Sequence, residues 1–76
     1  MKPIKNKFII TFPTIEAAMA MEKACLVSGT PGRLIPVPTQ ISAGCGMCWC
    51  AELQDGEACR LLVKERKLVY EAFEDI

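Results

Sequence analysis

Histidine is missing from these 76 residues. Without an imidazole the chain lacks the commonest general base and the nucleophile–base pairs built on it, and it cannot form zinc sites with nitrogen ligands. Excess charge is missing as well, since nine basic residues balance nine acidic ones. That balance gives no long-range attraction to phosphate, which argues against nucleic acid and membrane surfaces as partners. It also leaves little repulsion to oppose self-association. No run approaches the ~18 apolar residues of a membrane span. The apolar run Phe8 to Phe12 follows a basic start but stops at Pro13, short of the ~7–15 apolar residues a signal peptide needs, so it does not read as one. The expected compartment is the cytoplasm, where an odd number of cysteines, five, argues for thiol or metal chemistry over a disulfide framework.

What is present is enough for one small fold. Half of the residues are hydrophobic, and a chain this short has little room for a second core. We expect a single domain over residues 1–76 with its core at about 7–74. Lys7 to Phe12 is β-branched and aromatic and reads as a buried strand. Pro13 ends it, Thr14 is a good helix N-cap, and Glu16 suits the positive end of the helix dipole. That helix should run to about Ser28, with Ile15, Ala18, Met19, Glu22, Cys25 and Leu26 on one face, and stop at Gly29. Arg33 to Pro38 is a short extended segment whose prolines place it at a sheet edge.

From Met47 to Leu53 the pattern alternates, with Met47, Trp49, Ala51 and Leu53 on one side and Cys48, Cys50 and Glu52 on the other. Asp55 should cap a second helix over roughly Gly56 to Lys67, with Ala58, Leu61, Leu62 and Glu65 in register, and Leu68 to Phe73 should form the last strand. The order βαββαβ predicts an α+β, ferredoxin-like fold: a four-stranded antiparallel sheet, first and third strands central, two helices on one face. The opposite face would carry Ile9, Thr11, Cys48, Cys50, Val69 and Phe73, an open apolar surface suited to a homodimer.

The chemistry concentrates in Ser42-Ala43-Gly44-Cys45-Gly46-Met47-Cys48-Trp49-Cys50. Cys45-x-x-Cys48, with Cys50, has metal-ligand spacing, but there is no second cysteine knuckle to complete a four-sulfur cage. Cys25 and Cys59 should fall at the opposite end of the sheet and act as small buried hydrophobes. A thioredoxin-type motif would need a helix after Cys48, and the alternation there reads as strand. The third option is a single carrier or nucleophilic thiol. Cys45 lies between two glycines, beside the expected start of the first helix, whose N–H groups around Thr14 would favour a thiolate, and Ser42 could donate to it. Met47 and Trp49 read as core, Lys64 to Lys67 as a solvated helix end, and Arg33 as a surface residue beside an edge strand.

The stretch Pro31-Gly32-Arg33-Leu34-Ile35-Pro36-Val37-Pro38, then Ile41-Ser42-Ala43-Gly44-Cys45-Gly46, resembles the selenium/sulfur carrier protein-like family, small bacterial domains of unassigned function. Ile10-Thr11-Phe12-Pro13-Thr14, Ala17-Ala18 and Glu22-Lys23 extend the resemblance over about Phe8 to Phe73. Residue by residue, the family motif falls on Pro36, Pro38, Ser42, Cys45 and Gly46, while Cys48 and Cys50 lie outside it. The resemblance implies a thiol carrier, more an accessory protein than a stand-alone enzyme, holding sulfur or selenium on Cys45. Ser42, Gly44, Gly46 and Thr14 would shape its surroundings, with Cys48 and Cys50 as resolving thiols. No metal or cofactor is called for, and the partners would be sulfur or selenium donor and acceptor proteins. The competing readings are a metal-binding or redox-sensing module using Cys45, Cys48 and Cys50, or a purely structural dimeric interaction domain.

Overall fold

A computed structural model describes residues 5–41 and 45–76. The elements follow the order β1 (Lys7–Thr11), α1 (Ile15–Ser28), β2 (Arg33–Pro36), β3 (Met47–Glu52), α2 (Gly56–Arg66) and β4 (Ala72–Asp75), with one 3-10 turn, Leu53–Asp55, leading into α2. The four strands form an antiparallel sheet in the order β2-β3-β1-β4, so the first and third strands are central, as expected. Thr11 pairs with Cys48 and Lys7 with Glu52. The end of β1, the start of β3 and the entry to α1 therefore share one end of the sheet. Among the described residues, no helix is long and apolar enough to cross a membrane.

The α1 boundaries are those the sequence predicts, and the caps explain why. Thr14 is extended, at φ −141°, and its hydroxyl accepts from the Ala17 N–H at 3.2 Å. An alanine there would remove a cap worth about 1 kcal/mol. At the other end Gly29 takes φ 76°, and the N–H groups of Gly29 and Thr30 both reach the Cys25 carbonyl, at 2.8 and 3.1 Å.

Both helices pack on one sheet face. Their shared core joins Phe8, Ile10, Phe12, Trp49 and Ala51 to Met21 and Cys25 of α1 and to Cys59, Leu62 and Val63 of α2. The buried face of α1 is Ala17, Ala18, Met21, Ala24 and Cys25, which corrects the expected face. Only Ala18 and Cys25 belong to both; Ile15, Met19 and Leu26 are 44%, 58% and 78% exposed, and Glu22 is exposed too. The alanines decide the phase, because small side chains let the helix backbone lie close to the sheet.

The second helix also departs in detail. Asp55 occupies the N-cap position but makes no side-chain cap bond, because its backbone is already helix-like at φ −94°, ψ −1°. Its entry is fixed instead by Gly56, where a Cβ would come within 3.0 Å of the Phe8 ring. The buried residues are Gly56, Cys59, Leu62 and Val63, while Ala58, Leu61 and Glu65 face solvent. The helix ends at Arg66, with Lys67 left-handed at φ 52°.

The last strand lies further along than predicted, at Ala72–Asp75 in place of Leu68 to Phe73. Leu68 is used to finish α2, its N–H reaching the Val63 carbonyl at 3.0 Å. This shift changes the second sheet face. Phe73 stacks on Phe8 on the helix side, and Val69 precedes the strand and is exposed. Ile9, Thr11, Cys48 and Cys50 are buried within the single chain, where Ile35, Val37, Ile41 and Ile76 pack against the cluster of Ile9, Cys48 and Cys50. The expected open face is therefore closed at those four residues.

Candidate functional site

The hairpin joining β2 to β3 sets the position of Cys45. The ladder's last pair is Pro36 with Met47, and one step beyond it the Val37 N–H reaches the Gly46 carbonyl at 3.0 Å. Pro36 lacks a donor and sits on an edge strand, where that costs no ladder bond. Pro38 then opens a turn closed by the Ile41 N–H on its carbonyl, at 3.0 Å. This turn brings Ile41 onto the cluster of Ile9, Cys48 and Cys50. The proline pair thus shapes the connection that carries the thiol. Gly46 turns the chain into β3 at φ 79°, a left-handed conformation that side chains disfavour, and open space surrounds it.

Cys45 is half-buried and packs against the helix-side core, in phase with Met47 and Trp49. Its thiol donates to the Met47 carbonyl at 3.0 Å. The sulfur is thus held at the base of a hairpin, next to a strand, where position is better fixed than at a loop tip. All five cysteines are among the described residues and all are free; Cys45 alone is not buried.

The other four thiols are shielded. Burial, reinforced by Cys59, pushes the Cys25 thiol from its ordinary 9.0 up to about 12. Burial, with Cys50 and then Cys45 adding to it, does the same for Cys48, again to about 12. Cys50 is raised by burial against the opposing pull of Lys7 and Arg33. Cys59 is raised by burial, with a hydrogen bond to Trp49 acting the other way. A thiol raised on folding stabilises the fold below its unfolded pKa, and that contribution is lost as pH climbs through the folded value. For Cys25 and Cys48 the window is about pH 9 to 12. The urea midpoint should fall across that window, and less steeply in Cys48→Ala than in the wild type.

The structure brings together some of the predicted site residues. Gly46 adjoins Cys45, and Thr14 lies at the same end of the molecule through the Thr11–Cys48 pairing. The Thr14 hydroxyl is already an acceptor for Ala17, which leaves its own proton to donate. The recorded partner of the Cys45 thiol is the Met47 carbonyl, not an N–H of α1. Cys48 and Cys50 belong to the opposite sheet face from Cys45. No group of three or more His, Cys, Asp or Glu placed to share a metal ion occurs among the described residues. Ser42 and Gly44 lie outside the described residues. Sequence reasoning missed the Met47 carbonyl and the Val37–Gly46 clamp, which follow from strand register and leave no mark on composition.

No curated protein and no solved structure matches the chain. One family model does, over residues 7–74, from the first residue of β1 into β4, with Cys45 and the proline pair inside the matched span. With that coverage, the chain belongs to the family described as putative Se/S carrier protein-like.

Proposed function

We propose that this protein carries a sulfur or selenium atom on Cys45 and passes it to a partner protein. The observation that carries this reading is the partition of the thiols: four are buried and Cys45 is half-exposed on a rigid hairpin base. Loading needs no base or metal. The Cys45 thiolate attacks the outer sulfur of a donor persulfide; the Cys45 sulfur–sulfur bond forms, the donor's breaks, and the donor leaves as its thiolate. Transfer is the same exchange with an acceptor thiolate attacking the outer atom. Selenium would follow the same course.

In this reading Gly46 and Gly44 keep the approach to the sulfur free of side chains, and Ser42 and Thr14 offer hydroxyl donors to the adduct. Cys48 and Cys50 act as resolving thiols only in reserve. Attack on loaded Cys45 would release hydrosulfide and leave a disulfide, but both thiols are buried on the opposite sheet face, so it would require β3 to open first. We place the protein in the reducing cytoplasm, as one ferredoxin-like βαββαβ domain with an accessory role. A homodimer would have to use surface other than the closed second face.

The test is transfer. Protein loaded with sulfur from a small-molecule persulfide and mixed with an acceptor thiol should return to its starting mass as the acceptor gains sulfur. Retention of the sulfur through many equivalents of acceptor contradicts a carrier role.

A further inference from the structure

A cleft of about 410 Å³ opens between α2 and the chain leading into β4. It lies within the size range of small-molecule sites, roughly 300–1,000 Å³. Arg60 and Lys64, one turn apart on α2, and Lys67 at its left-handed C-cap all line it. Among the described residues none of the three is in an ion pair; the salt bridge formed is Lys7 with Glu52. The Arg60 guanidinium lies over the rings of Phe8 and Phe73, 5.3 and 5.4 Å from their centroids. This contact holds the cation against the two rings, and among the described residues no hydrogen bond or ion pair occupies its N–H donors.

The same cleft has an aromatic wall. Tyr70 stacks on Phe73 with centroids 4.3 Å apart and planes 13° from parallel, and Tyr70 is still 43% exposed. Val63 and Leu68 add apolar lining. Cations alone would read as a solvated helix end, and rings alone as an apolar patch. Together, in one cleft of a chain with no net charge, they are complementary to a ligand that is flat at one end and multiply anionic at the other. A phosphate supplies close to two negative charges and three acceptor oxygens, which suits three cations better than a carboxylate does.

We infer that this cleft binds a small flat-ringed molecule bearing a phosphate, the ring against Tyr70 and the phosphate among Arg60, Lys64 and Lys67. The site shares the Thr11 end of the sheet with Cys45 but lies toward the β4 edge, has no lining residue in common with it, and does not depend on the carrier reading. Titration with phenyl phosphate, followed by amide chemical shifts, tests it, with phenol and inorganic phosphate as the two half-ligands. Saturable shifts should concentrate between Lys64 and Phe73. Each half-ligand should bind at least about tenfold more weakly, and the exposed pair Lys64→Gln/Lys67→Gln should cost about tenfold in affinity, the scale of one lost charge-assisted hydrogen bond, with an unchanged melting temperature. Cys45→Ala should bind as the wild type does. Absence of saturation, equal binding of inorganic phosphate, undiminished binding by the double variant, or loss of binding in Cys45→Ala would each overturn the assignment.

Discussion

Gly32→Ala is expected to lower the melting temperature by more than about 10 °C, because it combines two costs at one position. Gly32 sits at φ 129°, where a side chain is strained, at roughly 1–3 kcal/mol. Its Cβ would also overlap the Trp49 indole at Nε1 and approach the Cys50 carbonyl oxygen to 2.9 Å. The indole cannot retreat freely. It is 3% exposed, and its N–H donates to the Pro31 carbonyl at 3.3 Å, an acceptor shared with the Cys59 thiol at 3.6 Å. Overpacking of this kind adds about 1–3 kcal/mol. The sum is a large share of the roughly 4–11 kcal/mol expected for a domain of 76 residues. Gly29→Ala is the matched control: φ is 76° and nothing lies within 4 Å of the added Cβ, so it should show the strain cost alone. Thermal melts of the two variants that coincide would mean that Trp49 is not held as described.

Native-state alkylation at neutral pH should place one label per chain, on Cys45, with the remaining four thiols reacting on the order of 100-fold more slowly or only after unfolding. Raising a thiol from 9.0 to about 12, as for Cys25 and Cys48, cuts its thiolate fraction near neutral pH by about a thousandfold. Burial adds the requirement for local opening. Peptide mapping after a short pulse of iodoacetamide reads the pattern directly. Comparable labelling of Cys48 or Cys50 would show that the second sheet face opens readily, and the partition of the thiols would then no longer single out Cys45.

Much of this was legible in the chain because local signals agreed with the tertiary arrangement. Thr14 and Gly29 bracket α1 by cap chemistry, and the alternation from Met47 to Glu52 separates Trp49 from Cys48 and Cys50 without reference to any partner strand. The face of α1 was not legible. The helix is apolar almost all round, so periodicity carries little phase, and the choice fell to three alanines that permit close approach to the sheet. The last strand was misplaced because Leu68, Val69 and Tyr70 look like strand residues. The register of Phe73 opposite Ile10 and Asp75 opposite Phe8 moves the ladder into acidic sequence at an edge. Closure of the second face depends on Val37, Ile41 and Ile76, from a turn and a terminus distant in sequence from Ile9. For the site, Cys45 could be picked out by its flanking glycines, whereas the Val37–Gly46 clamp and the Met47 carbonyl appear only once β2 and β3 are paired.

The central claim is that Cys45 is the carrying atom, and intact mass tests it most directly. Wild-type protein and Cys45→Ala are incubated side by side with a persulfide or selenide-releasing donor, desalted and weighed. The wild type should gain the mass of one sulfur or selenium atom, removable by reductant, and Cys45→Ala should gain nothing. An adduct of equal size on Cys45→Ala, or none on the wild type, contradicts the account.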